Sequence, residues 1–123
     1  MILGTGIDIV HVNRMKRWLA MPSLLERFFH VRELEDIRSR KTGAALSLAA
    51  RFAAKEAYGK AMGTGLQGIA LKDIQVINNY NGKPEIAVYG TAKEALANIG
   101  GKKIHLSLTH EKNNAVAMVI IEG

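Results

Sequence analysis

Two carboxylates stand at positions where an uncompensated charge is costly. Asp8 lies inside the apolar segment GIDIV, residues 6–10, and Glu56 lies in the helical segment RFAAKEAYGKAMGTG, residues 51–65, where it is the only acid. A charge in an apolar strand must be paired, hydrogen-bonded or metal-bound. Two carboxylates from separate elements, in a chain without cysteine, suit a hard cation such as Mg²⁺. A structural salt bridge is the alternative at each position.

Lys60 follows Glu56 by one helical turn, and a glycine-rich turn follows Lys60. The lysine forms either an i,i+4 helix pair, worth about 0.3 kcal/mol, or a phosphate clamp beside a metal. Gly63, Thr64 and Gly65 form either a plain helix C-cap or a turn whose amides approach a phosphate. No Walker motif occurs in the chain.

His110 lies in the segment SLTHE, residues 107–111, beside Glu111. Ser107 and His110 lack the third partner and the nucleophile elbow of a hydrolase. We therefore do not predict a catalytic triad.

The hydrophobic patterning predicts the elements that position these residues. Alternation predicts a strand over 6–12, and Asn81-Gly82 predicts a hairpin. Asn13, Ser23 and Thr91 are the predicted N-caps of three helices. The predicted elements are a strand over 6–12, helices over 13–20, 23–29 and 33–40, a long helix from 44 to Gly63 or Gly65, strands over 72–79 and 85–89, a helix over 91–99, and strands over 103–109 and 115–121. This order favours an α+β fold, an antiparallel sheet packed with one long central helix and shorter helices, as a single domain over 1–123.

The charge balance predicts an acidic partner. The net charge is +6, and the pI of about 9.8 suits nucleic acid, a phosphorylated ligand, an acidic protein or an anionic membrane. Five cations and no acid lie between Arg38 and Lys55, although a solvated helix face has the same pattern. The lack of cysteine fits a reducing compartment, and no secretory leader or membrane span is predicted.

Four motifs in this order resemble one known family. GIDIV at 6–10, RFAAKEAYGKAMGTG at 51–65, NGKP at 81–84 and LSLTHE at 106–111 closely resemble the holo-[acyl-carrier-protein] synthase group, the short-chain 4′-phosphopantetheinyl transferases. The resemblance implies transfer of 4′-phosphopantetheine from coenzyme A to a serine of apo acyl carrier protein. It also implies Mg²⁺ as cofactor, release of adenosine 3′,5′-bisphosphate, a cytoplasmic enzyme that supports fatty acid biosynthesis, and no nucleic-acid or membrane partner.

The same resemblance implies the roles of individual residues. Asp8 and Glu56 would bind the metal, and Lys60 would contact the pyrophosphate and help to protonate the leaving group. Arg51, Lys55 and Lys60 would surround the cation because coenzyme A carries several phosphate charges. The short enzymes of the family are homotrimers with each active site between two subunits. The residues implied to bind coenzyme A are Arg51, Lys60, Gly63, Thr64, Gly65, Asn81, Gly82, Lys83, Pro84, Ser107, Thr109 and His110.

Three positions depart from the family's common pattern. His11 stands where many relatives have an acid, which alters the start of the first helix. Val10 stands where the larger relatives carry a third carboxylate, so water should replace that ligand. His30 stands where a hydroxyl residue is common, which affects a local cap.

The first basic helix is the predicted docking surface for the acidic carrier protein. Arg14 and Arg17 are three residues apart and share a helix face, and methionines supply adaptable apolar contacts. A solvated face is the alternative. The predicted contact residues are Arg14, Met15, Arg17, Trp18 and Met21.

Two other functions are open from the sequence. A small basic RNA-binding module would explain the pI, but the chain lacks an RNP-like aromatic strand and a GXXG clamp. A non-catalytic trimeric scaffold is the other alternative, and turnover of coenzyme A would exclude it.

Overall fold

The computed structural model describes residues 1–123, which form five helices and five strands. No helix is both long enough and apolar enough to cross a membrane. The helices are α1 (Val12–Trp18), α2 (Pro22–Phe28), α3 (Val31–Ser39), α4 (Ala44–Ala61) and α5 (Gly90–Asn98). The strands are β1 (Ile2–His11), β2 (Ile74–Asn78), β3 (Pro84–Val88), β4 (Lys103–His110) and β5 (Asn114–Glu122).

The strands form two antiparallel sheets, which confirms the predicted α+β class. One sheet has the order β1-β5-β4, and β2 pairs with β3 in the other. Strand β5, whose sequence is nearly all apolar, is the central strand of this sheet. Its inner side chains are fully buried, and its outer ones face away from the helices. The buried inner residues are Ala115, Ala117, Val119 and Ile121.

Small residues let α4 lie directly on β1. A Cβ atom added to Gly6 would come within 2.0 Å of the Ala57 carbonyl oxygen, and one added to Gly4 would lie equally close to that of Ala61. No side chain fits at such a distance, so the glycines of β1 and the alanines of α4 set the spacing of the two elements. This contact fixes where Asp8, the next inward residue of β1, stands against the helix.

α4 is surrounded by the rest of the molecule and forms its central helix. Away from the three-stranded sheet it packs on α1, α3 and β2, and the Tyr58 hydroxyl donates a hydrogen bond of 2.8 Å to the Ala92 carbonyl in α5. Burial raises the pKa of Tyr58 to about 12, so this hydroxyl stays a donor at any physiological pH.

Each of the three predicted N-caps is wrong by two residues. α1 begins at Val12, with His11 at the N-cap and no side-chain cap, because the Val12 amide is already bonded to the Asn113 carbonyl. α2 begins at Pro22, whose fixed φ suits the first helical position. α5 begins at Gly90, and the Thr91 hydroxyl bonds to Asp73 instead.

The predicted hairpin joins β2 and β3 through a five-residue loop, residues 79–83. The Asn79 side chain organises it, since its Oδ1 atom accepts hydrogen bonds of 2.9 and 3.0 Å from the amides of Asn81 and Lys83. Gly82 has a φ of +81°, which only glycine adopts readily. The loop therefore holds Asn81 to Pro84 in a defined conformation.

Candidate active site

The structure brings together the three residues predicted to be catalytic. The Lys60 ammonium donates hydrogen bonds to Asp8 Oδ1 at 2.9 Å and to the Ile7 carbonyl at 3.0 Å. Glu56 lies one turn earlier on α4, within electrostatic range of both Asp8 and Lys60. We call Asp8, Glu56 and Lys60 the site cluster. It carries two negative charges and one positive charge, and it lies at the free edge of β1.

The electrostatics of Glu56 favour a cation at this site. Burial raises the pKa of Glu56, and the negative charge of Asp8 raises it further, against the opposing effect of Lys60 and Arg14. A raised carboxyl pKa means that the ionised form is disfavoured where it stands, so an added positive charge would stabilise it. No group of three or more histidine, cysteine or acidic side chains converges anywhere in the molecule. Two carboxylates are nevertheless enough for Mg²⁺, which keeps several water ligands.

A cavity of about 340 Å³ opens from the site cluster around the edge of β1. Asp8 and Lys60 line its polar end, and Ile7, Ile9 and Val116 line its apolar end. The site therefore continues onto the outer face of the three-stranded sheet.

That outer face is apolar and uncovered. Ile7 and Ile9 are 61% and 63% exposed, and Met118 beside them is 42% exposed. Ser107 pairs with Met118 and Thr109 pairs with Val116 in the β4–β5 ladder, so both of these predicted coenzyme A ligands lie on the outer face. A contiguous exposed apolar surface of this kind marks an interaction site.

A second group of predicted residues lies together in a separate groove of about 500 Å³. Arg51 from α4, Pro84 from β3 and His110 from β4 line it, with Arg40 at its rim. We call this the arginine groove. The residues predicted to bind coenzyme A thus fall into different regions of one chain, rather than around a single pocket.

The Arg51 side chain in this groove is already engaged by internal partners. It is only 8% exposed and donates hydrogen bonds to the Ser47 hydroxyl and to Asp36. Its Nε atom lies 3.8 Å from Glu33 Oε2 and has no hydrogen-bond partner. Sequence analysis missed both acids, because their role depends on α3 packing beside α4.

The expectation that Lys55 surrounds the cation is wrong. Lys55 is fully buried, and its ammonium donates to Glu33 Oε1 at 2.7 Å and to the carbonyls of Leu71 and Ile74. Burial lowers the pKa of Lys55, and the charge of Glu33 acts against that effect. We call Glu33, Asp36, Arg51 and Lys55 the buried cluster. Lys55 uses its charge to hold α3 and the start of β2 against α4.

The glycine-rich turn, residues 63–65, packs against Gly59 of α4 on one side and lines a groove with α5 on the other. Gly63 and Gly65 have φ values of +83° and +64°, so both are required for the turn. Gly59 contacts the backbone of Gly65 so closely that a Cβ would come within 2.7 Å of it. Thr64 lines a third groove, of about 390 Å³, formed with α5. The predicted contact of this turn with a nucleotide stays a prediction.

Helix α1 presents only part of the predicted docking surface. Met15 is 0% exposed, so the expectation that it contacts a carrier protein is corrected: its side chain belongs to the core. Trp18 packs edge-on against Phe52, with ring centroids 5.0 Å apart, and the Arg14 guanidinium lies over both rings. Arg14, Arg17 and Met21 are exposed, and Arg14 is also within electrostatic range of Glu56.

Comparisons with known proteins agree with this architecture. Residues 4–119 match the 4′-phosphopantetheinyl transferase superfamily. A holo-[acyl-carrier-protein] synthase of Treponema denticola is 62% identical over 123 residues, covering 100% of both chains. The crystal structure of the synthase from Neisseria meningitidis has a TM-score of 0.90 at 32% identity and covers 100% of both chains. The synthase from Bacillus anthracis, in complex with CoA (3′,5′-ADP), has a TM-score of 0.84 at 36% identity, covering 100% of this chain and 98% of that one.

The chain belongs to the 4′-phosphopantetheinyl transferase superfamily. The relatives described above are holo-[acyl-carrier-protein] synthases, similar along their whole length, so the prediction of an enzyme of this family is confirmed. No finding supports the RNA-binding alternative.

Proposed function

We propose that this protein transfers 4′-phosphopantetheine from coenzyme A to a serine hydroxyl of apo acyl carrier protein. The serine oxygen forms a bond to the β-phosphorus and loses its proton to solvent, the bond from that phosphorus to the bridging oxygen breaks, and adenosine 3′,5′-bisphosphate leaves with the bridging oxygen. The observation that carries the proposal is the convergence of Asp8, Glu56 and Lys60 in a chain whose full-length relative is a holo-[acyl-carrier-protein] synthase. The whole chain, 1–123, would act as one transferase domain in the cytoplasm and supply fatty acid biosynthesis.

Asp8 and Glu56 would hold Mg²⁺. The donor set fits the ion, because hard carboxylate oxygens and a net negative charge are what Mg²⁺ prefers. When bound, the ion would neutralise phosphate charge and polarise phosphoryl oxygens. Lys60 now occupies Asp8 Oδ1, so this ammonium would move toward the phosphates as the carboxylate turns to the metal.

Lys60 would stabilise the charge that develops on the leaving oxygen. Its ammonium is tethered near Asp8 and half exposed, so it can reach a pyrophosphate beside the carboxylates. A donor placed where charge grows lowers the barrier more than one that binds the ground state.

The arginine groove would receive the nucleotide end of coenzyme A. Arg51 and His110 would supply donors for phosphate, and the ordered loop before Pro84 would supply backbone groups for adenine. Ser107 and Thr109 would contribute from the adjacent outer sheet face. This assignment is supported by the common location of Arg51, Pro84 and His110.

Assembly into a homotrimer would join the separated regions. The outer sheet face is apolar and begins at the cavity beside Asp8, so a second copy placed on it would lie against the site cluster. The arginine groove of one copy would then complete the site cluster of its neighbour. Analytical ultracentrifugation tests the assembly, and charge substitution at Met118, on the exposed face, should dissociate it.

Helix α1 would bind the carrier protein through Arg14, Arg17 and Met21. The Trp18 ring packs against the Arg14 guanidinium and would hold it in position. Arg14 is close enough to Glu56 to affect its charge, so a carrier bound on α1 would bring its serine beside the site cluster.

Mass spectrometry tests the reaction directly. An apo acyl carrier protein incubated with this protein, coenzyme A and Mg²⁺ should gain the mass of one phosphopantetheine group. An unchanged carrier mass, with folded protein and several carrier species tried, would refute the proposed transfer.

A further inference from the structure

Arg51 separates the arginine groove from a second hollow, and an internal acid reaches it from that hollow. The second hollow is lined by Asp36 and Arg32 together with Gln75 and Ile77. Asp36 contacts the Nη2 atom of Arg51 from this side. The guanidinium in the groove therefore already binds an anion that belongs to the chain itself.

Asp36 is held differently from the other acid of the buried cluster. Glu33 is 0% exposed and bonded to Lys55 and to the Val76 amide, so it cannot leave. Asp36 is 38% exposed, and the same Oδ2 atom that contacts Arg51 also accepts a hydrogen bond of 3.2 Å from Arg40. Arg40 lies on the groove rim and gives Asp36 a second partner.

The charges of the buried cluster balance while Asp36 is in place. Glu33 and Asp36 offset Arg51 and Lys55, so the cluster is neutral and Arg51 presents little unbalanced charge to the groove. Release of Asp36 leaves one positive charge at the groove, without exposing Glu33 or Lys55.

We propose that Asp36 is an internal competitor for Arg51, and that a phosphate group of coenzyme A binds in the arginine groove by displacing Asp36 onto Arg40. The proposal rests on the function proposed above, and it adds a residue that sets affinity for the nucleotide. Asp36 would keep the groove closed to weakly bound anions and permit release of the bisphosphate product.

The test is calorimetric binding of coenzyme A and of adenosine 3′,5′-bisphosphate to wild type, Asp36→Asn and Glu35→Gln. Asparagine keeps the size of Asp36 but loses its charge. Glu35 is exposed and has no ion-pair partner, so Glu35→Gln makes the same charge change without touching Arg51. We expect Asp36→Asn to bind both ligands about two- to fivefold more tightly, which corresponds to the ~0.4–1 kcal/mol of a partly exposed ion pair. Glu35→Gln should bind like wild type.

Kinetic measurements and a double variant distinguish competition by Asp36 from a structural role. Asp36→Asn should lower KM for coenzyme A, and its gain in affinity should vanish when Arg51 is also changed to Gln. A structural role alone predicts weaker binding and lower stability in Asp36→Asn. If the wild type binds coenzyme A normally but Asp36→Asn binds it no more tightly, the inference about Asp36 is wrong while the proposed function stands. Failure of the wild type to bind or turn over coenzyme A overturns the proposed function with it.

Discussion

Lys55 and Lys60 are five residues apart on α4, and the two clusters that they enter differ in every respect that bears on function. Lys55 is 0% exposed and lies in the buried cluster, where two acids and two cations cancel. The side chain of Lys60 is 52% exposed and lies in the site cluster, where two acids outnumber one cation. The Lys55–Glu33 pair is fully bonded within the chain, whereas the site cluster has room and charge for an added cation.

This difference shows how to tell a structural ion network from a binding site. The polar atoms of Lys55 and Glu33 are satisfied by one another and by backbone groups. Glu56, in contrast, has its pKa raised chiefly by burial without a direct hydrogen bond from Lys60. An acidic site that is strained in the free protein and relieved by a cation is a candidate metal site.

Removing the charge of Lys55 is the strongest test of this difference between the two clusters. Lys55→Met should lower the free energy of unfolding by about 3–5 kcal/mol, because Glu33 is left as an uncompensated buried charge. Lys60→Met, the same substitution in the site cluster, should cost less than about 1 kcal/mol because the Lys60 side chain is half exposed. It should instead lower kcat more than it weakens coenzyme A binding. Urea unfolding measures these changes in stability. Equal losses of unfolding free energy in Lys55→Met and Lys60→Met would show that the two clusters do not differ in this way.

Asp8→Ala and Glu56→Ala should lower activity rather than stability, the opposite of Lys55→Met. We expect transfer to fall on the order of 10²- to 10³-fold, as when a group that stabilises developing charge is lost, with little loss of stability. Glu35→Ala, an exposed acid outside both clusters, is the control. Near-normal turnover at low Mg²⁺ in either variant would show that the site cluster does not bind the metal.

Charge reversal on α1 tests whether the carrier protein binds at this helix and reaches the site cluster from there. Arg14→Glu with Arg17→Glu should raise KM for the carrier protein on the order of a hundredfold, because repulsion replaces attraction at a charged interface. Binding of coenzyme A should barely change. Lys93→Glu with Lys102→Glu makes the same change in net charge at exposed positions away from α1. If both double variants modify the carrier at the wild-type KM, the docking surface lies elsewhere.

Much of the fold and the site cluster could be predicted from the sequence. The alternation around Asp8 and the small residues of α4 predict the two elements that meet, and Glu56 and Lys60 share a helix face by spacing alone. The hairpin and the central position of β5 follow from Asn-Gly and from a near-continuous apolar run.

The buried cluster could not be predicted in the same way. The acid-free run of cations from Arg38 to Lys55 suggests a solvated helix face, because Glu33 lies 22 residues from Lys55 and reaches it only through tertiary packing. The helix starts also shifted, since competing bonds to Asn113 and Asp73 replaced the expected caps. His30 is an instructive exception: its side chain accepts the Arg32 amide and Glu33 completes a capping box, so an imidazole serves where a hydroxyl is usual.

The smallest expected effect concerns the pH dependence of Glu56. Its pKa is raised above the ordinary value of 4.5, mainly by burial. An acid with a raised folded pKa is more easily protonated in the folded state, so its stabilising contribution is full below about pH 4.5 and is lost as pH rises through the folded pKa. Without metal, Glu56→Gln should therefore raise the melting temperature slightly at neutral pH and lose that advantage near pH 4. Added Mg²⁺ should stabilise the wild type but not Glu56→Gln, because the ion relieves a charge that glutamine lacks. Thermal unfolding at the two pH values, with and without Mg²⁺, measures both effects. A melting temperature of Glu56→Gln below that of the metal-free wild type at neutral pH would show that Glu56 is already compensated within the chain, as Glu33 is.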